Sequence, residues 1–455
     1  MTLLYRRILY IVFILFFLIL TPLVSFYAAG YDFNLKNGSF RRTGILFLES
    51  EPKDAEVYLG DKQKYNWLYD LFYKDRIIKT PVKLRNLLPD EYKLTLTKQN
   101  YFDYHRDIAI HDGQTLVLNN IMLFKKSYPD VLINKNIIEV KKSNNGKYLA
   151  ALTQDSLSII NLANNEIKEI PLNAKIDFTG LALGQKIFWA PSDKKILLSA
   201  IQPVVFNIDN GNIEAVVNDY VKGEIKSIKW NNFSDNELFI QLAGIIYKLD
   251  IITKSLNIWH SDGVDNDFLI KDNHLFYLEK NAESSTLIVY DNGSKSIKNR
   301  IELPYINLYQ ISNENDKIFL HDSDHDILYI IDPWSILPLR DSLNNVKEYT
   351  AISDSKVLYW NNFEIWLFQN GKKNLITRIS SPISTAIWHP SGDHIIYNSQ
   401  DNLNVIELKD GEYLSMLRLL SWSDTKSLTL SAKNDFVYFV SPLDEKQGLY
   451  KLEIK

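Results

Sequence analysis

The sequence predicts an all-β protein held to a membrane by one N-terminal helix, and three observations carry that expectation. An uncharged run opens the chain, from Ile8 to Ala29. Short segments that alternate apolar and polar residues follow it. Beyond Ile137 a unit of four such segments returns again and again to the end of the chain.

Composition fits a large globular chain. It has 455 residues, 46% hydrophobic and 23% charged, with 9 Trp, 26 Tyr and 22 Phe. That is too apolar for a disordered chain. Lys+Arg 51 against Asp+Glu 55 gives a net charge of −4. A nucleic-acid binder would carry a basic excess, so nucleic acid is not an expected partner. With Cys 0 there is no disulfide, thiolate metal site, Fe–S cluster or cysteine nucleophile.

The run Ile8–Ala29 is long enough, at about 1.5 Å per helical residue, to cross a hydrocarbon core of about 30 Å. Arg6 and Arg7 precede it, and the next charge is Asp32. The expected arrangement is therefore a cytoplasmic segment 1–7, a transmembrane signal-anchor 8–29 and an extracytoplasmic remainder. A cleaved signal peptide is the competing reading. No convincing small-residue cleavage site stands around Tyr27-Ala28-Ala29-Gly30.

After a linker at 30–42, residues 43–126 alternate with period two in GILFLES, AEVYLGD, EYKLTLT, RDIAIHD and QTLVLNNIML. Such alternation, punctuated by Pro, Gly, Asn and Asp, predicts half-buried antiparallel strands in a small sandwich. The segment Ser50-Glu51-Pro52-Lys53-Asp54-Ala55-Glu56-Val57-Tyr58-Leu59 and the later Thr80-Pro81 step resemble the PEGA domain, a β-sandwich module of cell-envelope proteins. The resemblance implies a non-catalytic module for attachment or interaction. Asp90 and Asn100 stand where that family has turn glycines, and both residue types tolerate positive φ. An insert at 62–79 departs from the pattern. It carries Tyr65, Trp67, Tyr69, Phe72 and Tyr73, which are candidate partner-binding residues if exposed and packing residues if covered.

The repeat is clearest in its second strand, where Leu149, Ile196, Leu238, Leu275, Ile318, Val357, Ile395 and Val437 align. A third strand follows each time. The turns before the second strand read SNNGK, APSDKK, NFSDNE, SNENDK, SDSK, HPSGDH and SAKND. Four strands in about 40 residues is the spacing of β-propeller blades. Residues 127–455 therefore read as a propeller of eight blades, with seven as the alternative count. The eighth unit stops after its third strand. The stray apolar segment 131–133 is expected to supply its fourth and close the ring. Trp189-Ala190-Pro191-Ser192-Asp193 and Trp388-His389-Pro390-Ser391-Gly392-Asp393 resemble the turns of WD40-like and TolB-like propellers.

Chemistry is sparse. His321, Asp322, Asp324, His325 and Asp326 form the densest ligand cluster. Asp322, Asp324, His325 and Asp326 are the candidate metal ligands, but they fall in a hairpin turn where Asp and Ser are expected anyway. Asp262, Asp265 and Asp267 have calcium-like spacing without the rest of an EF-hand loop. Trp189, Trp230, Trp360, Trp366, Trp388 and Trp422 suit a core between blades better than a sugar platform. No cofactor and no catalytic residue is expected. The reading is a single-pass, membrane-anchored envelope scaffold that binds a protein or glycan partner. An enzyme working through the central channel, a hydrolase or a metal-dependent one, is the alternative class, and a glycan-binding module is the third.

Overall fold

A computed structural model describes residues 3–34, 39–60, 77–172 and 186–455, apart from 262, 265, 266, 315, 354, 422–424, 444 and 445. The chain divides into two compact units, Met1–Ser127 with Ile454–Lys455, and Tyr128–Glu453.

The first unit opens with the helix Leu3–Ala28. Its stretch Tyr5–Phe26 has a mean hydropathy of 2.7 and, among the described side chains, none buried, so it is long and apolar enough to cross a membrane. A hairpin of Tyr31–Asn34 and Ser39–Arg42 follows. Two three-stranded sheets then pack face to face. In one, Gly44–Glu51 lies between Val82–Leu87 and Thr115–Met122; in the other, Asp90–Thr97 lies between Glu56–Leu59 and Tyr104–Ile110. Alternate residues point inward, and Leu46, Leu48, Val57, Leu94, Leu96 and Ile108 form the core. Each such side chain, once fully buried, contributes about 1.5–3 kcal/mol.

Two details differ from the sequence reading. Gly44–Glu51 and Thr115–Met122 run parallel, not antiparallel. Alternation reports which face is buried and is blind to strand direction, which connectivity sets. Asp90 is the first residue of a strand and its carboxylate accepts the Glu91 N–H at 2.8 Å. The positive φ falls on Asn86, at 58°, and on Asn100, at 68°.

The second unit is a propeller. Among the described residues it holds eight four-stranded antiparallel sheets, spanning 139–171, 187–216, 225–260, 269–304, 309–344, 348–378, 383–421 and 426–453, the last completed by Asp130–Ile133. The count is eight, not seven. All eight aligned residues from Leu149 to Val437 lie in the second strand of their sheet and are 0% exposed. A second strand is covered on both faces by neighbouring blades, which is why its apolar register shows through the sequence. First strands meet between blades one and two, four and five, six and seven, and seven and eight, and those of blades one and eight meet as well.

Asp130–Ile133 pairs antiparallel with Lys446–Glu453, matching Ile133 to Leu449 and Val131 to Tyr450. Ile133 then joins Ile137, Leu149, Ile160, Tyr438 and Leu449 in one cluster between blades eight and one. The pairing satisfies two strand edges that would otherwise expose their backbone N–H and C=O groups.

Tryptophans link the first strands. Trp189 Nε1 donates to the Lys141 carbonyl at 3.1 Å, and Trp230 Nε1 to the Phe188 carbonyl at 3.0 Å, each one blade back. Trp360 is buried as well, while Trp366 and Trp388 are half-buried against the clusters beside them. Trp422 lies outside the described residues.

Candidate functional site

The acidic cluster folds as a turn. Asp322 ends the second strand of blade five, is 1% exposed, and accepts the N–H groups of Asp324 and His325 at 3.1 and 3.3 Å. Its other oxygen takes His325 Nδ1 at 2.7 Å, and that carboxylate raises the His325 pKa. Asp324 instead accepts the Leu308 N–H at 3.2 Å, and Asp326 sits at φ 54° with its carbonyl bonded to Val346 N–H. The Asp322 and Asp324 carboxylates thus serve different backbone N–H groups, and the His325 ring is taken up by Asp322. Among the described residues no three His, Cys, Asp or Glu side chains converge on a point that could hold a metal. Asp267 pairs with Lys229 at 2.7 Å and accepts the Ile311 N–H at 3.0 Å, while Asp262 and Asp265 lie outside the described residues. Tyr65, Trp67, Tyr69, Phe72 and Tyr73 lie outside them too.

A different feature stands out on the same blade. Between its third strand, Ile327–Ile331, and its fourth, Leu339–Asn344, the chain reads Asp332-Pro333-Trp334-Ser335-Ile336-Leu337-Pro338. Ile336 is 98% exposed, Leu337 72% and Trp334 54%. Their apolar surface is nevertheless carried on a fixed base. Asp332 N–H donates to the Pro338 carbonyl at 2.8 Å, and Asn299 Nδ2 to the Pro333 carbonyl at 2.7 Å. The Asp332 carboxylate accepts Lys317 Nζ at 2.7 Å and Arg340 Nη2 at 3.1 Å, and the Lys317 bond above all holds its pKa below the ordinary value. Trp334 packs edge-on against His274 of blade four, with centroids 4.9 Å apart. Two prolines fix φ and shrink the number of conformations that binding would have to freeze.

Corresponding turns in blades two, four and seven are polar: Asp209-Asn210-Gly211-Asn212, Asp291-Asn292-Gly293-Ser294 and Lys409-Asp410-Gly411-Glu412. That contrast was the available signal: an apolar, proline-bracketed segment where the repeat calls for turn residues. Reading the repeat for its strands alone passes over it.

Compared with known protein families and with curated proteins, the chain matches none. Solved structures resemble it in fold. The Dos1 propeller aligns at a TM-score of 0.52 and 11% identity, over 73% of this chain and 96% of its own. A structure of the eukaryotic initiation factor aligns at 0.49 and 12%, over 71% and 89%. A chain of the mitotic checkpoint complex aligns at 0.41 and 13%, over 62% and 94%. The likeness to the Dos1 propeller supports a β-propeller, and at that identity it speaks to fold alone.

Proposed function

We propose that the chain is a membrane-anchored scaffold of the cell envelope, whose propeller binds a protein partner through the Trp334–Leu337 loop. The loop is the observation that carries this reading. Exposed Trp, Ile and Leu side chains on a braced base are unfavourable in water and have the makeup of an interface hot spot. In this reading the N-terminal helix holds the chain in the membrane, the sandwich serves as a PEGA-like attachment module, and neither a cofactor nor a catalytic group is needed.

The resemblance of the sandwich to that module is supported by what its motif residues do. Ser50 Oγ and Thr80 Oγ1 lie 2.6 Å apart and buried, Thr80 Oγ1 accepts the Ala55 N–H at 3.1 Å, and Ser50 Oγ donates to the Pro52 carbonyl at 2.8 Å. Motif positions separated along the chain thus meet in one hydrogen-bonded corner.

Site-specific photocrosslinking in native membranes tests the scaffold reading. Ile336 is so exposed that a benzoylphenylalanine there should leave the fold intact. Irradiation should yield a discrete protein adduct identifiable by mass spectrometry, reduced about tenfold by Leu337→Asp, as expected for loss of about 1.4 kcal/mol at a hot spot. Adducts to lipid alone, or no adduct at all, would overturn it.

A further inference from the structure

The groove between blades three and four is open where the two before it are bridged. Between blades one and two, the Asp193 carboxylate accepts the N–H groups of Asn144 and Asn145 at 2.9 and 2.8 Å. Between blades two and three, Asp235 accepts the Ser192 N–H at 3.0 Å and also its hydroxyl. Blade four offers no equivalent. Its first turn is cut to Asp272 and Asn273, at φ 48° and 62°, with Lys271 paired directly to His274. Positive φ at both residues is the geometry of the tightest hairpin, and Asp and Asn tolerate it. At this end of the two first strands Asn232 Nδ2 donates to the Ile270 carbonyl at 3.1 Å, while at their other end Asp267 pairs with Lys229.

A cleft of about 290 Å³ results. Trp259 forms its aromatic wall because its strand is bulged: His260 pairs with Ile246 and Ile258 with Tyr247, so Trp259 has no partner across the ladder. Bulges commonly re-aim a side chain in this way. Phe239 packs edge-on against the indole, with centroids 5.0 Å apart and planes at 62°, and fixes its orientation. Phe233 stands at the rim, 77% exposed. The polar lining includes Asn232, Asp272 and Asn273, and the Lys248 ammonium is matched by Glu237 at 2.7 Å.

We propose that this cleft binds a neutral sugar ring. An indole face is electron-rich and attracts the weakly positive C–H groups on the apolar side of a pyranose. Planar amides and a carboxylate beside it offer the paired donors and acceptors that vicinal hydroxyls need. An anionic ligand would meet the Asp272 carboxylate with no unmatched cation among the described lining residues to offset it. A wholly apolar ligand would bury these polar groups without hydrogen bonds, at a cost. The volume lies just below the roughly 300–1,000 Å³ range of ligand pockets, which suits a ring better than a helix. The lining of this cleft shares no residue with the Trp334–Leu337 loop, and the proposal does not depend on the reading of that loop.

The test uses the full chain in detergent, titrated with cellobiose, maltose, chitobiose and lactose, with sialyllactose and glucose 6-phosphate as anionic comparators. Tryptophan fluorescence and calorimetry read the binding. At least one neutral disaccharide should bind. Trp259→Ala should weaken it about tenfold, the equivalent of about 1.4 kcal/mol, and Trp259→Phe should recover part of that loss. Phe233→Ala, at an exposed rim position where folding is not at stake, should weaken it about threefold. The proposal is overturned if no neutral sugar binds, if only the anionic comparators bind, or if Phe233→Ala and Trp259→Ala both bind as the parent does.

Discussion

Ser391 sits between two buried histidines in the first turn of blade seven. Its hydroxyl lies 2.9 Å from His389 Nδ1 and 3.1 Å from His394 Nδ1. Burial, with the neighbouring His389 imidazole adding to it, pulls the His394 pKa down to about 4. The fold therefore holds this ring neutral, whereas an unfolded chain binds a proton at about pH 6.5. The stabilising contribution is complete above pH 6.5 and is lost as the pH falls from there toward 4. The full difference corresponds to about 3 kcal/mol. Urea unfolding of wild type and His394→Gln across pH 7.5 to 4 should show the difference between them shrinking on acidification. A gap that stays constant over that window would refute the assignment. His325 works the other way, since pairing with Asp322 raises its pKa. Its contribution is present in acid and lost as the pH rises through the folded value.

At the scale of elements, the strand Asp130–Ile133 decides whether the ring has an open end. Ile133 is buried in the cluster between blades eight and one and pairs with Leu449. Ile133→Ala removes apolar contacts from both blades and should cost about 2–5 kcal/mol in urea unfolding. Val131→Ala, on a half-exposed side chain of the same short strand, should cost well under half as much. Equal losses would mean that the strand adds no packing to the closure. Its role was readable because a missing fourth strand and a stray apolar segment are both visible in a repeat with a firm register. The second strands were readable for a related reason, as two buried faces leave a mostly apolar run. The binding features were not readable in that way. Asp272-Asn273 is an ordinary polar dipeptide until the neighbouring turns show what it fails to bridge. Trp259 looks like core until the bulge turns it toward the cleft. Alternation also said nothing of the parallel pairing of Gly44–Glu51 with Thr115–Met122, since both directions bury the same residues.

At the scale of the whole molecule, the proposed membrane anchoring raises the question of which side the propeller would occupy, and the flanks of the helix frame it. Arg6 and Arg7 abut the apolar stretch, while beyond Ala28 come Asp32, Lys36, Arg41 and Arg42. Charge acts on topology mainly close to the helix ends, and long folded domains translocate largely regardless of their own charge. Arg6 and Arg7 are therefore expected to stay in the cytoplasm and everything beyond about Tyr31 to cross. Protease added to spheroplasts should digest the propeller of the wild type and leave only a membrane-embedded N-terminal fragment. In Arg6→Glu/Arg7→Glu the adjacent positive charge is gone, and Lys36, Arg41 and Arg42 become the dominant cations. That variant should distribute between two orientations, with a fraction of the propeller protected until the membrane is opened by detergent. Full protection of the wild-type propeller would reverse the orientation. An unchanged digestion pattern in the double variant would show that these two arginines do not set it.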